Sequence, residues 1–588
     1  MKSLFHSAFL TTLLCWLCGL TLLASATSCS QEQKAKVQEA LPGVLTGNQG
    51  PQPTLDSVYV ARQMLAEPAF KSQLDWAKKF YKARDYRLGW FKNHEVVPQA
   101  KKLLEVINQA GDEGLDPQKY KIKNFDKLFA ELDKARGDTT QRNSLEKQID
   151  VALSGTYFTW ASDFYRGTVN PREVKNIDWD VKRNKIKLHK ALMTILQERE
   201  STYPYYEFEP LHPEYDRLKK ALAEYRTIQR NGGWPTLPAG TKLKPGDTSP
   251  AVALLRRRLL DEPGTPAQDV ATPVQTVANN GPSNGPAPAP AAQQYDSELV
   301  AAVKKFQQQT GQRTDGVVGG ETLRLLNIPL DKRIDQIVLN MERWRWIPKR
   351  FEQNYLLVNI PDYKLHVVEE GKEVMNMNVI VGKTLNATPV FSDKVEYVVL
   401  APYWNVPFSI IDKEMRPKLV ANPQAYLDRL DMEVVKGWGA KATPIDPTTV
   451  DWANLTQANW KYTLRRRPGP KNDLGDVKFI FPNSNDIYLH DTPHDELFSQ
   501  TKRNFSHGCV RVAEPIKLAT YLLRNKPGYD ENTILSTIGE RQEKYITLPE
   551  KLPVYLVYFT AWVDDAGHLN FRDDIYGHDK NLAKEYFN

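Results

Sequence analysis

The sequence predicts a multidomain α+β protein: a helical N-terminal region, a small helical unit, and a mainly β C-terminal region that carries an insert. Three observations predict it. A chain of 588 residues is too long for one domain. Apolar residues recur at helical spacing until about residue 350 and then alternate like strands. A Pro/Ala tract, Asn284 to Pro290, interrupts the chain between two helical stretches. The net charge of +7 is modest for this length, and the basic residues are dispersed, so nucleic acid is not indicated.

The chain opens with Lys2 and an apolar run, Leu10–Ala24, too short for a comfortable membrane span. It reads as a secretory signal over residues 1–28, which would remove Cys15 and Cys18. Cys29 follows the small residues Ala26-Thr27-Ser28. The stretch resembles a bacterial lipoprotein cleavage site with Cys29 as the lipidated first residue, although Ala26 stands where leucine is usual. Membrane attachment through Cys29, plain export to the periplasm and an uncleaved anchor all remain open. Residues 29–54 are polar with Gly and Pro, and read as a tether.

Residues 55–235 follow a helical pattern. Leu74, Ala77, Phe80 and Tyr81 recur at helical spacing, and Gly111 and Gly114 stop the helix that carries Leu103 and Ile107. The aromatic run Phe158 to Tyr165 could face a polymer, but at this spacing it reads first as core. Residues 240–328 hold three short helices, with a disordered insert expected over 262–294 and the turn Asp315-Gly316 ahead of the third helix, Glu321–Leu326. Residues 329–353 connect through an amphipathic helix, Lys332–Arg350, with Ile334, Ile337, Val338, Met341 and Trp344 inward. From residue 354 to 588 strands dominate: Tyr355–Ile360, Lys364–Val368, Met375–Val381 and Val395–Leu400, with a tail strand at Val554–Trp562. The alternation lapses between about 412 and 462, which marks the insert.

The chemistry concentrates in Ser506-His507-Gly508-Cys509-Val510-Arg511. Pro515 suits the first turn of a helix, so Cys509 reads as lying just ahead of one, on a turn loosened by Gly508. His490 closes the strand-like run Asp486–Asp491. A Cys and a His from separate elements form the usual dyad for acyl transfer. A lone Cys is most often a small buried hydrophobe. Beside Gly508, His507 and His490, and in an oxidising compartment without a disulfide partner, Cys509 reads instead as a nucleophile. Zinc would need three or four ligands, which the mature chain does not supply around Cys509. Metal and cofactor are both read as none.

His490, fifteen intervening residues and the Ser506–Arg511 run resemble the catalytic signature of the L,D-transpeptidases, whose catalytic domain is of the YkuD type. Arg467 to Gly475 and Phe479 to Asn483 resemble the long YcbB-like periplasmic branch of that family. The resemblance implies a helical scaffold domain, a peptidoglycan-binding-like three-helix domain and a catalytic domain whose insert caps the site. It implies cross-linking of peptidoglycan through a cysteine thioester on a tetrapeptide stem, with carbapenem-type β-lactams as covalent inhibitors. Cys509 would be the nucleophile and His490 the general acid/base. The backbone N–H groups of Gly508 and Cys509 are the candidates for the oxyanion, with His507 in support. Arg511, Ser506, Tyr488, Trp404 and Asn405 would line the subsite for the stem. A backbone oxygen beside the histidine, that of Asp491, would orient the ring. Two alternatives stand beside this reading: a hydrolytic relative that trims wall peptides or releases wall-attached protein, and a non-enzymatic wall-binding protein.

Overall fold

The computed structural model describes residues 51–587, apart from 121–122, 176, 178, 182–184, 198–210, 261–290, 349 and 438. The expected signal sequence, Cys29 and most of the Pro/Ala insert lie outside the described residues. The chain divides into two compact units.

The first unit spans residues 1–166 and 185–210. Its centre is the helix Thr139–Arg166, buried from Ile149 onward on nearly every side. The aromatic run is core: Phe158, Trp160, Phe164 and Tyr165 are all buried, and Trp160 stacks on Phe164 at 5.4 Å. Burial on all sides forces the polar residues of this helix to find partners inside. Asp150 accepts from the Tyr81 hydroxyl at 2.7 Å and the Trp90 backbone N–H at 2.7 Å, and Glu146 meets His94 at 2.8 Å.

The second unit holds residues 167–184 and 211–588. The expected three helices are Pro250–Leu259, Ser297–Gln309 and Gly320–Leu326. They share a core of Val252, Leu255, Leu299, Val303, Leu323 and Leu326. The long interruption between the first two costs little, because closure entropy grows slowly with loop length. Tyr295 ties the group together by donating to the Gly316 carbonyl at 2.6 Å.

The connecting helix runs Leu330–Trp346, and it is not amphipathic in the expected sense. Its polar side is buried as well: Arg333, Asn340, Glu342, Arg343 and Arg345 are all below a tenth exposed. Each is held by partners rather than by water. Arg343 pairs with Asp579 at 2.5 Å, Arg345 with Glu342 at 3.0 Å, and Asn340 donates to Thr560 at 2.8 Å. Periodicity alone could not reveal Asp579 and Thr560, because they lie more than two hundred residues away. The helix Pro213–Arg230, expected with the N-terminal helices, belongs to this unit, where Tyr215 accepts from Arg345 at 2.8 Å.

The catalytic-region strands are β1 (Tyr355–Asn359), β2 (Lys364–Glu369), β3 (Lys372–Gly382), β4 (Phe391–Leu400), β5 (Trp404–Asn405), β6 (Met432–Lys436), β7 (Thr443–Ile445), β8 (Thr463–Arg466), β9 (Val477–Ile480), β10 (Leu489–His490), β11 (Asn504–Ser506), β12 (Val510–Val512) and β13 (Lys544–Val557). One sheet runs β11-β3-β12-β10-β9-β4-β13-β1-β2, and β2 also pairs with β3. Eight strands therefore close into a barrel, with β11 added along β3. Closure removes the exposed edges that an open sheet would leave. The expected tail strand is displaced: β13 starts at Lys544 and sits between β4 and β1, while Ala561–Val563 pairs separately with Leu569–Phe571.

The insert is a small domain with a core of its own. Strands β5-β8-β6-β7 form a four-stranded sheet. Ile411, Leu419, Leu427, Met432, Trp452 and Leu464 pack beneath it. It extends beyond the expected 412–462 on both sides, since β5 and β8 belong to its sheet.

Candidate active site

The barrel register creates the site. Strand β12 runs parallel to β10, with Leu489 opposite Val510 and His490 opposite Arg511. Strand β9 runs antiparallel to β10, with Phe479 opposite Leu489 and Lys478 opposite His490. Side chains alternate between the two faces of a sheet. Phe479, Leu489 and Val510 are fully buried in the main core. Lys478, His490 and Arg511 must therefore share the opposite face, and Tyr488 and Cys509 immediately precede β10 and β12. This brings together five groups separated by up to 33 positions in the sequence.

Cys509 precedes a strand, not a helix, which corrects the expectation. Val510 and Val512 alternate into the core as β12, and the helix Pro515–Leu523 starts only afterwards. The thiol therefore has no helix N-terminus beside it. What holds it is a braced turn. Gly508 adopts φ +121, a conformation that favours glycine. The Ser506 hydroxyl donates to the Cys509 carbonyl at 2.6 Å and accepts from the Gly508 N–H at 3.2 Å. Thr388, fully buried, donates to the Gly508 carbonyl at 2.7 Å and accepts from the Gly382 N–H at 2.9 Å. Gly382 tolerates no side chain, since a Cβ there would lie 2.0 Å from the Asn386 carbonyl. Sequence reasoning missed Thr388, because nothing in its own neighbourhood marks it.

The ring of His490 is buried and fixed. Its Nδ1 lies 2.5 Å from the Asp491 carbonyl, an acceptor, so Nδ1 carries the proton and Nε2 keeps its lone pair. The Asp491 carboxylate is engaged elsewhere, accepting the Asp476 and Thr492 N–H groups at 2.7 Å each. Burial, then the Arg511 charge, lowers the His490 pKa to about 3. The imidazole is neutral at ordinary pH. Burial raises the Cys509 pKa, against the opposing pull of Tyr488 and Lys478. The Cys509 Sγ donates to the Asp486 carbonyl at 3.7 Å, and no hydrogen bond joins it to His490 among the described residues. The resting thiol and the resting imidazole are thus both neutral.

Lys478 is a second residue that sequence reasoning overlooked. Its Nζ lies 3.8 Å from the centre of the Tyr488 ring, and burial lowers its pKa while the Cys509 charge raises it. Tyr488 also meets the His490 ring at 5.6 Å. Burial pushes the Tyr488 phenol up, so it stays protonated.

The remaining candidates separate. Arg511 faces the site with no ion pair among the described residues, and its buried Nε lacks a hydrogen-bond partner. Ser506 is buried and spent on the turn, so it shapes the loop rather than presenting a hydroxyl. Gly508 donates its N–H to Ser506, so this N–H is not free for an oxyanion. His507 is exposed and turns to the insert, where its Nε2 meets Glu414 at 3.0 Å. Trp404 and Asn405 form β5 of the insert. Trp404 packs against the insert's own core, with Arg466 over its ring at 5.3 Å. Its strand pairs with β8, with Trp404 opposite Arg466.

Comparison with known proteins adds three domain matches. Residues 353–531 match the family described as the L,D-transpeptidase catalytic domain, residues 75–222 a scaffold domain, and residues 278–326 a putative peptidoglycan binding domain. A putative L,D-transpeptidase of Haemophilus influenzae is 34% identical over 251 residues, 42% of this chain and 49% of that protein. The chain thus spans about half the length of that curated relative. Among solved structures, an L,D-transpeptidase from Stackebrandtia nassauensis is 15% identical, covering 55% of this chain and 96% of that one, with a TM-score of 0.19. An L,D-transpeptidase from Mycobacterium smegmatis is 11% identical, covering 35% and 58%, with a TM-score of 0.16. These superpositions carry no argument.

Proposed function

We propose that this chain, which carries an L,D-transpeptidase catalytic domain at residues 353–531 beside scaffold and peptidoglycan-binding domains, is an exported cross-linking enzyme of the long periplasmic branch. It joins peptidoglycan stems through a thioester on Cys509. The single observation that carries this reading is the parallel register of β10 and β12, which pairs His490 with Arg511, two residues past Cys509.

The chemistry follows from the neutral pair. A donor stem enters, the Cys509 thiol turns from Asp486 toward His490, and Nε2 takes its proton. Sulfur attacks the carbonyl of the third stem residue. With the Gly508 N–H occupied, the Cys509 N–H is the better oxyanion donor. The tetrahedral intermediate collapses, the C–N bond breaks, and His490 protonates the departing amine of the terminal D-amino acid. An acceptor amine then attacks the thioester and gives its proton to His490, which returns it to sulfur. Lys478 offsets the transient negative charge on sulfur, and the unpaired Arg511 receives a stem carboxylate. The insert excludes water from the thioester, which favours transfer over hydrolysis.

The test is incubation with purified tetrapeptide-bearing wall fragments, read by mass spectrometry. Cross-linked dimers with release of the terminal D-amino acid are expected. Tripeptide products alone would make the chain a hydrolase, and no Cys509-dependent change would remove the enzyme assignment.

A further inference from the structure

The turn that carries Cys509 is held from a part of the chain beyond the catalytic-domain match, which ends at residue 531. Tyr576 reaches the loop between β3 and β4. Its hydroxyl donates to the Gly382 carbonyl at 2.6 Å and accepts the Thr388 N–H at 3.3 Å. One residue earlier, the Ile575 carbonyl accepts from the Thr384 hydroxyl at 3.4 Å. Tyr576 is itself fixed from behind. Its N–H donates to the Tyr558 hydroxyl at 3.0 Å, and that hydroxyl donates to Asp574 at 2.7 Å. Burial pushes the Tyr576 phenol up to about 12, so it keeps the proton that it gives to Gly382.

Thr388 passes this hold on to the turn. Its side chain is fully buried, accepts the Gly382 N–H at 2.9 Å and gives its own proton to the Gly508 carbonyl at 2.7 Å. Tyr576 thus takes the carbonyl of Gly382 and Thr388 takes its N–H. The Lys383 N–H adds a tie to the Ser506 carbonyl at 2.9 Å.

The Gly508 carbonyl shares a peptide plane with the Cys509 N–H. In a planar trans peptide the two point in opposite directions. A carbonyl pinned to Thr388 therefore aims the Cys509 N–H away from Thr388. The plane needs an outside hold, because Gly508, at φ +121, leaves its own backbone unusually free to turn. The Cys509 N–H makes no hydrogen bond among the described residues, so it is free to donate to a reacting oxygen.

We propose that Thr388 and Tyr576 are positioning residues for the oxyanion donor: they hold the Gly508–Cys509 peptide so that the Cys509 N–H faces the oxygen of the carbonyl under attack. This inference rests on the acyl-transfer reading above and adds the C-terminal segment to the machinery. Neither side chain touches substrate; both act through one peptide plane.

The experiment uses the full chain with Thr388→Val and, separately, Tyr576→Phe. Two reactions at Cys509 are timed. Iodoacetamide alkylation displaces iodide from a saturated carbon and forms no oxyanion. Carbapenem acylation does form one: sulfur adds to the lactam carbonyl, the C–N bond then breaks, and the thiol proton ends on the lactam nitrogen. Loss of an oxyanion donor costs about 10²–10³-fold, and a donor that is present but misaimed costs less. Carbapenem acylation should therefore fall about ten- to hundredfold in Thr388→Val and about three- to tenfold in Tyr576→Phe, which lies one step further away. Iodoacetamide labelling should stay within about twofold of wild type in both, because the thiol and its base are untouched. Thr388→Ser keeps the hydroxyl and should recover acylation to within about threefold. Equal losses in the two reactions, in variants that melt like wild type, would overturn the proposal, since the residues would then only support the fold around the thiol. An unchanged acylation rate would overturn it as well. If Thr388→Val does not fold, Tyr576→Phe carries the same test. Failure of the acyl-transfer reading looks different: wild-type Cys509 would take iodoacetamide and no carbapenem.

Discussion

The barrel face and the insert that lies against it are built on different principles. On the barrel, Lys478, His490 and Arg511 sit opposite one another across three hydrogen-bonded strands, and the other face of those strands is main core. Moving any of these groups would mean shifting strand register, which would turn core residues outward. The insert has its own sheet and its own core, and it meets the catalytic turn through the exposed pair His507–Glu414. Exposed pairs of this kind contribute about 0–1 kcal/mol. The difference teaches that Lys478, His490 and Arg511 are fixed by strand register, whereas the insert meets the turn that carries Cys509 through an exposed ion pair.

Substitutions can sharpen that contrast. The largest effect should come from Cys509→Ala, which removes the nucleophile. Turnover on wall fragments should fall on the order of 10⁴-fold or more, with no carbapenem adduct by intact mass. His490→Ala follows, with a loss of roughly 10²–10⁴-fold in the rate of thioester formation. A His490 variant that kept full activity would show that the shared face is incidental.

Lys478→Met should reduce the rate at neutral pH by about three- to tenfold, because a nearby cation favours the thiolate. The sign is testable by titration. Lys478 lowers the Cys509 pKa, so its loss moves the alkaline limb of iodoacetamide labelling to higher pH, and Lys478→Arg should restore it. In wild type the same profile should lack an inflection near pH 6.5. His490 is lowered to about 3, and the base is therefore neutral well below the usual histidine range. A clear loss of turnover on passing below pH 6.5, assigned to His490, would contradict the buried neutral ring.

The smallest effect belongs to the insert. Glu414→Gln should leave thioester formation within about threefold, because the exposed contact is weak. The ratio of hydrolysed to transferred product should rise as the latch loosens. A large loss of acylation instead would mean that the insert helps to build the chemistry.

Much of this was legible in the sequence. The likeness of residues 353–531 to the L,D-transpeptidase catalytic domain could be read from His490 and the Ser506–Arg511 run, and the change of period near residue 354 separated helix from strand. The orientation of His490 by the Asp491 carbonyl matched what the resemblance implied. Other features depended on contacts that no local pattern encodes. Lys478 in Val477-Lys478-Phe479 looks like any strand residue until the register with His490 gives it a face. Trp404 could have lined the pocket, but pairing between β5 and β8 assigned it to the insert. Cys509 looked like a residue ahead of a helix because Pro515 is close, yet two valines made a strand first. The polar side of Leu330–Trp346 suggested solvent and instead met Asp579, Thr560 and their neighbours from the far end of the chain.

The central claim is that one sulfur carries the acyl group, and peptide mapping after rapid quenching with a tetrapeptide donor tests it most directly. The account predicts a mass shift on the peptide containing Cys509, equal to the donor less its terminal D-amino acid, and none in Cys509→Ala. An unmodified Cys509 in a preparation that still turns over donor, or the acyl group on another residue, would contradict it.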